Sequence, residues 1–164
     1  MSVNAHHQNV EVEYINSMFK DSEIMVSQNN KCILHDDVYQ IVSASGFNVA
    51  ILSSNISSIY QAVSCEIIDH ALIHGENEYK IINIGCLINP SYEFNCVKQF
   101  VILKNNNLAL TCERILEKEN IDKNMVCWRD ENSKRKWLAG TIKNKNIILL
   151  DLSSLQNELL TKNN

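Results

Sequence analysis

Residues 136–155 read KWLAGTIKNKNIILLDLSSL. Two apolar runs of strand length, 137–142 and 147–152, flank the polar residues 143–146. Short β-branched runs bounded by turn residues read as strands, and two of them around a polar turn read as a hairpin. Gly140 inside the first run predicts a bulge or a close approach of neighbouring backbone. Ile147 to Leu150 are expected to fill an interior. Asp151 is expected to end the strand and cap the next turn by accepting backbone N–H bonds. The stretch contains no nucleophile motif and no phosphate-binding glycine loop. It reads as the closing hairpin of a β-barrel.

Working back along the chain, the same grammar recurs. YQIVSASGFNVAIL is strand, tight turn at Ser45-Gly46, strand. In the SSNISSIYQ that follows, Ser53 or Ser54 is expected to cap a short helix carrying Ile56 and Ile59 three apart on one face. HALIHGENEYKIINIGCLI is another hairpin, with its turn at Gly75-Glu76-Asn77 and Pro90 closing it. VKQFVILKNNNLALTCERILEKENI is again strand, polar turn, strand and short helix. A slide of the first copy by ~59 residues lays Val42 on Val101, Ala50 on Ala109, Ile51 on Leu110 and Ile56 on Ile115, which suggests an internal duplication. ENSKRK, before the closing hairpin, reads as a charged loop. Many short strands at near-regular spacing with little helix spell an all-β barrel or sandwich.

Residues 1–37 differ. They are polar, with weak helical periodicity at Val12, Ile15, Met18 and Phe19, and are expected to form a partly flexible extension. The chain of 164 residues is 45% hydrophobic and 21% charged, enough to bury a core. Its formal net charge is −4, and no basic stripe with interleaved aromatics is present, which argues against nucleic acid as a partner. No apolar run is long enough to span a membrane, and the first residues lack the pattern of an export signal. A cytoplasmic location is therefore expected. Six cysteines (Cys32, Cys65, Cys86, Cys96, Cys112 and Cys127) lie ten or more residues apart. Without a CxxC pair they do not suggest a zinc site, and are expected to be reduced and mostly buried.

The order of these motifs resembles the CheW-like family, the coupling proteins of bacterial chemotaxis arrays and of related systems that control type IV pili. YQIVSASGFNVAILSSNISSI resembles the family's opening strand, Gly turn and strand running into a short helix. VKQFVILKNNNLALTCERIL resembles its later strand–turn–strand. WLAGTIKNKNIILLDLSSL resembles its close, in which Leu-Ala-Gly precedes a strand, a turn and an aliphatic strand ending Leu-Asp-Leu. The matches cover about residues 38–157. The resemblance implies two small five-stranded SH3-like barrels packed together, and a tail at 158–164. It implies a non-catalytic adaptor that needs no cofactor or metal and takes no small-molecule substrate. Its partners would be a CheA-like histidine kinase and a chemoreceptor or pilus-control component. By this resemblance Ile56 and Ile59 belong to a receptor-facing groove. In the middle hairpin the family carries an Arg-Gly turn that contributes to partner contacts. Here the corresponding places fall to Glu78, or to His74-Gly75 with the gap placed earlier, and the Arg is absent. Counted back from Leu87, Cys86 stands where the family has Asp, and Asn83 where it has Pro. The missing Arg implies a divergent member, of the kind attached to pilus control.

Other chemistries weigh less. Cys65, Asp69, His70 and His74 invite a thiol hydrolase, but on one strand Cys65 and Asp69 share a face while His70 points away. His6-His7 with His35-Asp36-Asp37 reads as an incidental His tract. Trp137 is expected in the core, and Trp128, beside the charged loop, at an interface. Lys134-Arg135-Lys136 reads as a solvated loop, or one that meets an acidic face. A small cysteine-dependent hydrolase and an unrelated β-barrel binding or immunity protein are the alternative readings.

Overall fold

The structure is a computed structural model that describes residues 37–93, 97–104 and 106–161. The extension with its weak helical periodicity around Val12 to Phe19, together with His6, His7, His35, Asp36, Cys32 and Cys96, lies outside the described residues. The architecture is all-β, with strands in two sheets curled into half-barrels and few helices.

Among the described residues, twelve strands and two helices follow one order twice. The first half runs β1 (Val38–Ala44), β2 (Phe47–Leu52), β3 (Ile56–Gln61), β4 (Glu66–Ile68), β5 (Ala71–His74), β6 (Asn77–Ile82) and α1 (Ile84–Ile88). The second runs β7 (Gln99–Leu103), β8 (Leu108–Cys112), β9 (Arg114–Asn120), β10 (Cys127–Trp128), β11 (Leu138–Ile142), β12 (Ile147–Leu150) and α2 (Leu152–Thr161). A 3-10 turn precedes β4 (Ala62–Ser64) and another precedes β10 (Lys123–Met125). Duplication therefore reaches further than the sequence suggested, through the later hairpin and into the closing helix of each half.

The register corrects the slide. Val42 pairs with Val49 and Ile41 with Ala50, while Ile102 pairs with Ala109 and Val101 with Leu110. An offset of about 60 superposes these ladders without a gap, so Val42 corresponds to Ile102 and not to Val101. An error of one residue matters in a strand, because it exchanges the two faces. Ser45 and Gly46 close β1–β2 with φ of 52° and 79°. Positive φ at both central residues is the two-residue turn whose twist matches the flanking strands.

The largest correction concerns the segments expected as short helices. ISSIYQ and RILEKEN are both strands, β3 and β9. ISSIYQ has the β-branched and aromatic content that favours a pleated ladder. RILEKEN has good helix formers, and its tertiary partner overrides that propensity.

The chain divides into two compact units, one of them Asp36–Ile121, the other containing Asp122–Asn164. Within Asp36–Ile121, β3 does not stay with its own hairpin. It pairs antiparallel with β7, setting Ile59 opposite Val101. In return β9 pairs antiparallel with β1, setting Ile115 opposite Val42. Each third strand thus closes the other repeat's hairpin. Backbone bonds tie both crossings: Lys104 N donates to Asn55 O at 2.8 Å, and Glu113 N donates to Ser43 O at 2.9 Å. The buried Gln40 amide donates to Leu116 O at 2.6 Å, beside the register shift between Gln40 and Val42. The Gln99 side chain accepts from Ile115 N at 2.8 Å.

The sheet begun by β3 and β7 runs β3-β7-β8-β6-β5-β4. It counts six strands because short β4 is added at its edge through a two-residue turn, Asp69-His70, with both φ positive. Leu72, Phe100, Ile102 and Ala109 form its buried centre. Where the sequence suggested that the second strand of the middle hairpin runs on, α1 begins after Asn83, whose side chain accepts from Cys86 N at 3.2 Å. The Asn83 carboxamide also accepts from the Thr111 hydroxyl at 3.1 Å, tying the cap to β8.

In the other unit β10, β11 and β12 form an antiparallel ladder. Asp151 caps α2: its carboxylate accepts from Ser154 N at 2.9 Å and from the Ser154 hydroxyl at 2.8 Å. Asn83 and Asp151 each cap the helix that closes their half. Arg129 approaches Asp151 at 3.6 Å. Trp137 is buried, as are Ile147, Ile148 and Leu149. The ladder slips between Leu138 and Gly140, the bulge expected at that glycine. A Cβ on Gly140 would lie 2.7 Å from Val126 Cγ1 and 2.8 Å from the Cys127 carbonyl oxygen. Because one of these neighbours is backbone, Gly140→Ala should destabilise the protein by about 1–3 kcal/mol. Thermal unfolding followed by circular dichroism checks this, with a lower midpoint expected.

Candidate interaction surface

Strand β3 and the middle hairpin, which carry most of the residues singled out, touch at one ring stack. β3 and β5 lie four positions apart in the sheet order, yet the Tyr60 and His74 rings stack with centroids 3.9 Å apart and planes 15° from parallel. Only a strongly curled sheet brings such strands together, so this stack marks where the half-barrel turns back on itself. Tyr79, half-buried on β6, joins it. Burial raises its phenol pKa, and the neighbouring Tyr60 raises it further.

Around the stack, burial along β3 alternates strictly. Ile56, Ser58 and Tyr60 are half-buried, while Ser57, Ile59 and Gln61 are exposed. Ile56 and Ile59 therefore do not share a face, contrary to the helical expectation, and Ile59 is the outward one at 38% exposure. His74 ends β5 and pairs with Asn77, which leaves Gly75-Glu76 as the turn. Gly75 has φ of 62° and is exposed. Positive φ at the first central position alone is the form that selects glycine there. Glu78, exposed on β6, pairs with Ile73. Ile59, His74, Gly75 and Glu78 are thus on or beside the stacked edge of one sheet. Trp128 belongs to the other unit, 40% exposed on β10 and paired with Gly140.

Sequence reasoning missed Tyr60, whose ring carries the stack, and the apolar surface beside it. Val63 is almost fully exposed, and Ile67 and Ile68 are exposed on β4. A pocket of about 440 Å³ opens there, lined by Ile67, His70, Ile81 and Asn83. The signal was present as two adjacent isoleucines in a run too short to read as a strand.

Cys65 precedes β4 instead of lying on a strand, and its Sγ lies 3.4 Å from Gln61 O. His70, in the β4–β5 turn, lines the pocket instead. Of the described cysteines, Cys112 is buried, Cys65 and Cys127 are half-buried and Cys86 is exposed, so the expectation of mostly buried thiols does not hold. Burial, with Glu113 nearby, pushes the Cys112 pKa up to about 12. Burial also raises that of Cys86. Among the described residues no group of three His, Cys, Asp or Glu side chains has metal-binding geometry. No described helix is long and apolar enough to cross a membrane.

No family model matches this sequence, and no curated protein does. Among solved structures the chain is similar to the scaffolding protein TtCheW from Thermoanaerobacter tengcongensis. The TM-score is 0.57 at 12% identity, over 71% of this chain and 90% of that one. The likeness is one of fold.

Because only the thiolate alkylates, native protein treated with iodoacetamide at pH 8 should label Cys86 and leave Cys112 unmodified until denaturant is added. Mass spectrometry of the peptides reads this. An unfolded thiol ionises near 9 and folded Cys112 near 12. Between those values unfolding releases a proton, so this group's contribution to stability falls as pH rises through that window.

Proposed function

We propose that the protein is a non-catalytic coupling scaffold of the CheW type, which holds a CheA-like histidine kinase to a chemoreceptor or to a pilus-control component. The observation that carries this reading is the fold likeness to a scaffolding protein over 90% of that protein's length, and the motif order of residues 38–157 separately resembles the same family. Residues 38–157 would form the coupling domain, with 1–37 as an extension and 158–164 as a tail. The reading places the protein in the cytoplasm, where kinase and receptor tips meet.

Recognition in such a module is a matter of surface. A specific reversible contact needs about 800 Å² from each partner, with a few central side chains carrying most of the energy. Ile59 on β3, with His74, Gly75 and Glu78 on the β5–β6 hairpin, supplies an apolar centre and a polar rim along one sheet edge. Ile56, half-buried behind them, supports that edge. Glu78 or His74 stands in the place of the family's Arg, so the positive charge that the family offers at this turn is absent here. Trp128 is a second, separate contact candidate. Joining two partners through two surfaces raises their effective concentration without any chemistry.

Isothermal titration with the regulatory domain of a CheA-like kinase from the same source tests the reading. Wild type should bind. Ile59→Asp should weaken binding at least tenfold, a loss of about 1.4 kcal/mol, while leaving the unfolding midpoint within a degree or two because the side chain is already exposed. Ile56→Asp should lower the midpoint as well. Failure of the wild type to bind kinase and receptor domains alike would overturn the proposal.

A further inference from the structure

Strand β10 ends its sheet: it pairs with β11, and no described strand pairs with its outer side. Next to the Trp128–Gly140 pair, Arg129 N donates to Ala139 O at 2.9 Å, toward β11. Successive residues of a strand direct their backbone groups to opposite edges, so the N–H and C=O of Trp128 face outward. The Trp128 and Met125 side chains are exposed beside them. An apolar edge of this kind is normally shut by a charge on the strand, a proline or a covering segment. Cys127–Trp128 supplies neither charge nor proline.

The sequence before the described fold holds a segment of matching pattern. In residues 10–14, Val10, Val12 and Tyr14 alternate strictly with Glu11 and Glu13. Strict alternation is the pattern of a half-buried strand, and an extended segment adds to a sheet edge through its main chain while alternate side chains fill the surface. Charge selects between the edges. Along residues 10–23, Glu11, Glu13, Asp21 and Glu23 stand against Lys20. Along residues 122–136, the cations Lys123, Arg129, Lys134, Arg135 and Lys136 outnumber the carboxylates Asp122, Asp130 and Glu131, in a chain whose formal net charge is −4. Around β4 and its hairpin, Glu66, Asp69, Glu76 and Glu78 stand against Lys80, which would repel the segment. Length permits the contact. The chain from Tyr14 to Asp37 spans up to about 75 Å when extended, several times the radius of gyration of about 14 Å expected for a compact domain of this size.

We propose that residues 10–14 of the same chain add to the outer side of β10 as a short strand. Val10, Val12 and Tyr14 cover Trp128 and Met125, and Glu11 and Glu13 answer the cations of residues 122–136. The segment is tethered, so it occupies the edge at a high effective concentration. An outside chain that uses Trp128 must first displace it. The charged part of the contact weakens as ionic strength rises. This covering contact does not depend on the scaffold reading and is measured with no kinase or receptor in the sample.

Amide hydrogen exchange at Trp128, read by nuclear magnetic resonance on the labelled full chain, tests it. In wild type the Trp128 N–H should exchange about tenfold or more slowly than in the Val12→Asp/Tyr14→Asp double variant, to the same degree at every protein concentration and less in high salt. Glu11→Lys/Glu13→Lys should lose most of this protection, and adding Lys134→Glu/Lys136→Glu should restore it. Circular dichroism confirms that each variant folds, and Val12→Ser/Tyr14→Ser replaces the aspartate pair if that does not. Equal exchange in wild type and in the double variant would overturn the proposal. So would protection that grows with protein concentration, which assigns the cover to a second copy, or a charge-swapped variant that recovers none.

Discussion

The structure of residues 36–121 depends on an exchange of strands. A hairpin of two strands is marginal in water, and each hairpin here, β1–β2 and β7–β8, needs a third strand to complete a ladder. Each takes it from the other repeat: β9 closes β1, and β3 closes β7. Neither repeat can complete its ladders alone, and the register of one constrains that of the other. The Gln40 and Gln99 amides hold the first part of β9 at Leu116 and Ile115, where that strand lies against β1. The curled six-stranded sheet and its Tyr60–His74 stack follow from that closure.

Much of this was legible in the sequence, and the failures have physical causes. The hairpins were readable because Ser45-Gly46, Gly75-Glu76 and residues 143–146 are turn chemistry between β-branched runs. Gly140 and Asp151 were readable because a glycine inside a strand and an acid after one each have few structural uses. β3 and β9 were misread because local propensity does not report an exchange partner tens of residues away. Ile56 and Ile59 fit a helical face by spacing alone, and the strand puts them on opposite sides. The slide of 59 failed by one residue because apolar matches in a two-sided buried hairpin do not distinguish faces, whereas the pairing Ile102 to Ala109 does. β4 was invisible because three residues leave no periodicity to detect.

The candidate surface was half legible. His74, Gly75 and Glu78 stood out by comparison with a family pattern, and the structure places them on one hairpin, with His74 stacked on Tyr60, the neighbour of outward-facing Ile59. Tyr60, which braces His74, carried no signal of its own. This part of the sheet presents a stacked aromatic pair, an exposed isoleucine, an acid and a glycine turn. The most perturbed thiol, Cys112, is one that burial keeps protonated at neutral pH.

The strand exchange is the claim on which the placement of every surface residue rests, and interstrand nuclear Overhauser effects in the labelled protein test it directly. The account predicts cross-strand contacts between Ile59 and Val101 and between Val42 and Ile115. Contacts that instead keep β3 with β1–β2 and β9 with β7–β8 would contradict it, and with it the edge that carries Ile59 and His74.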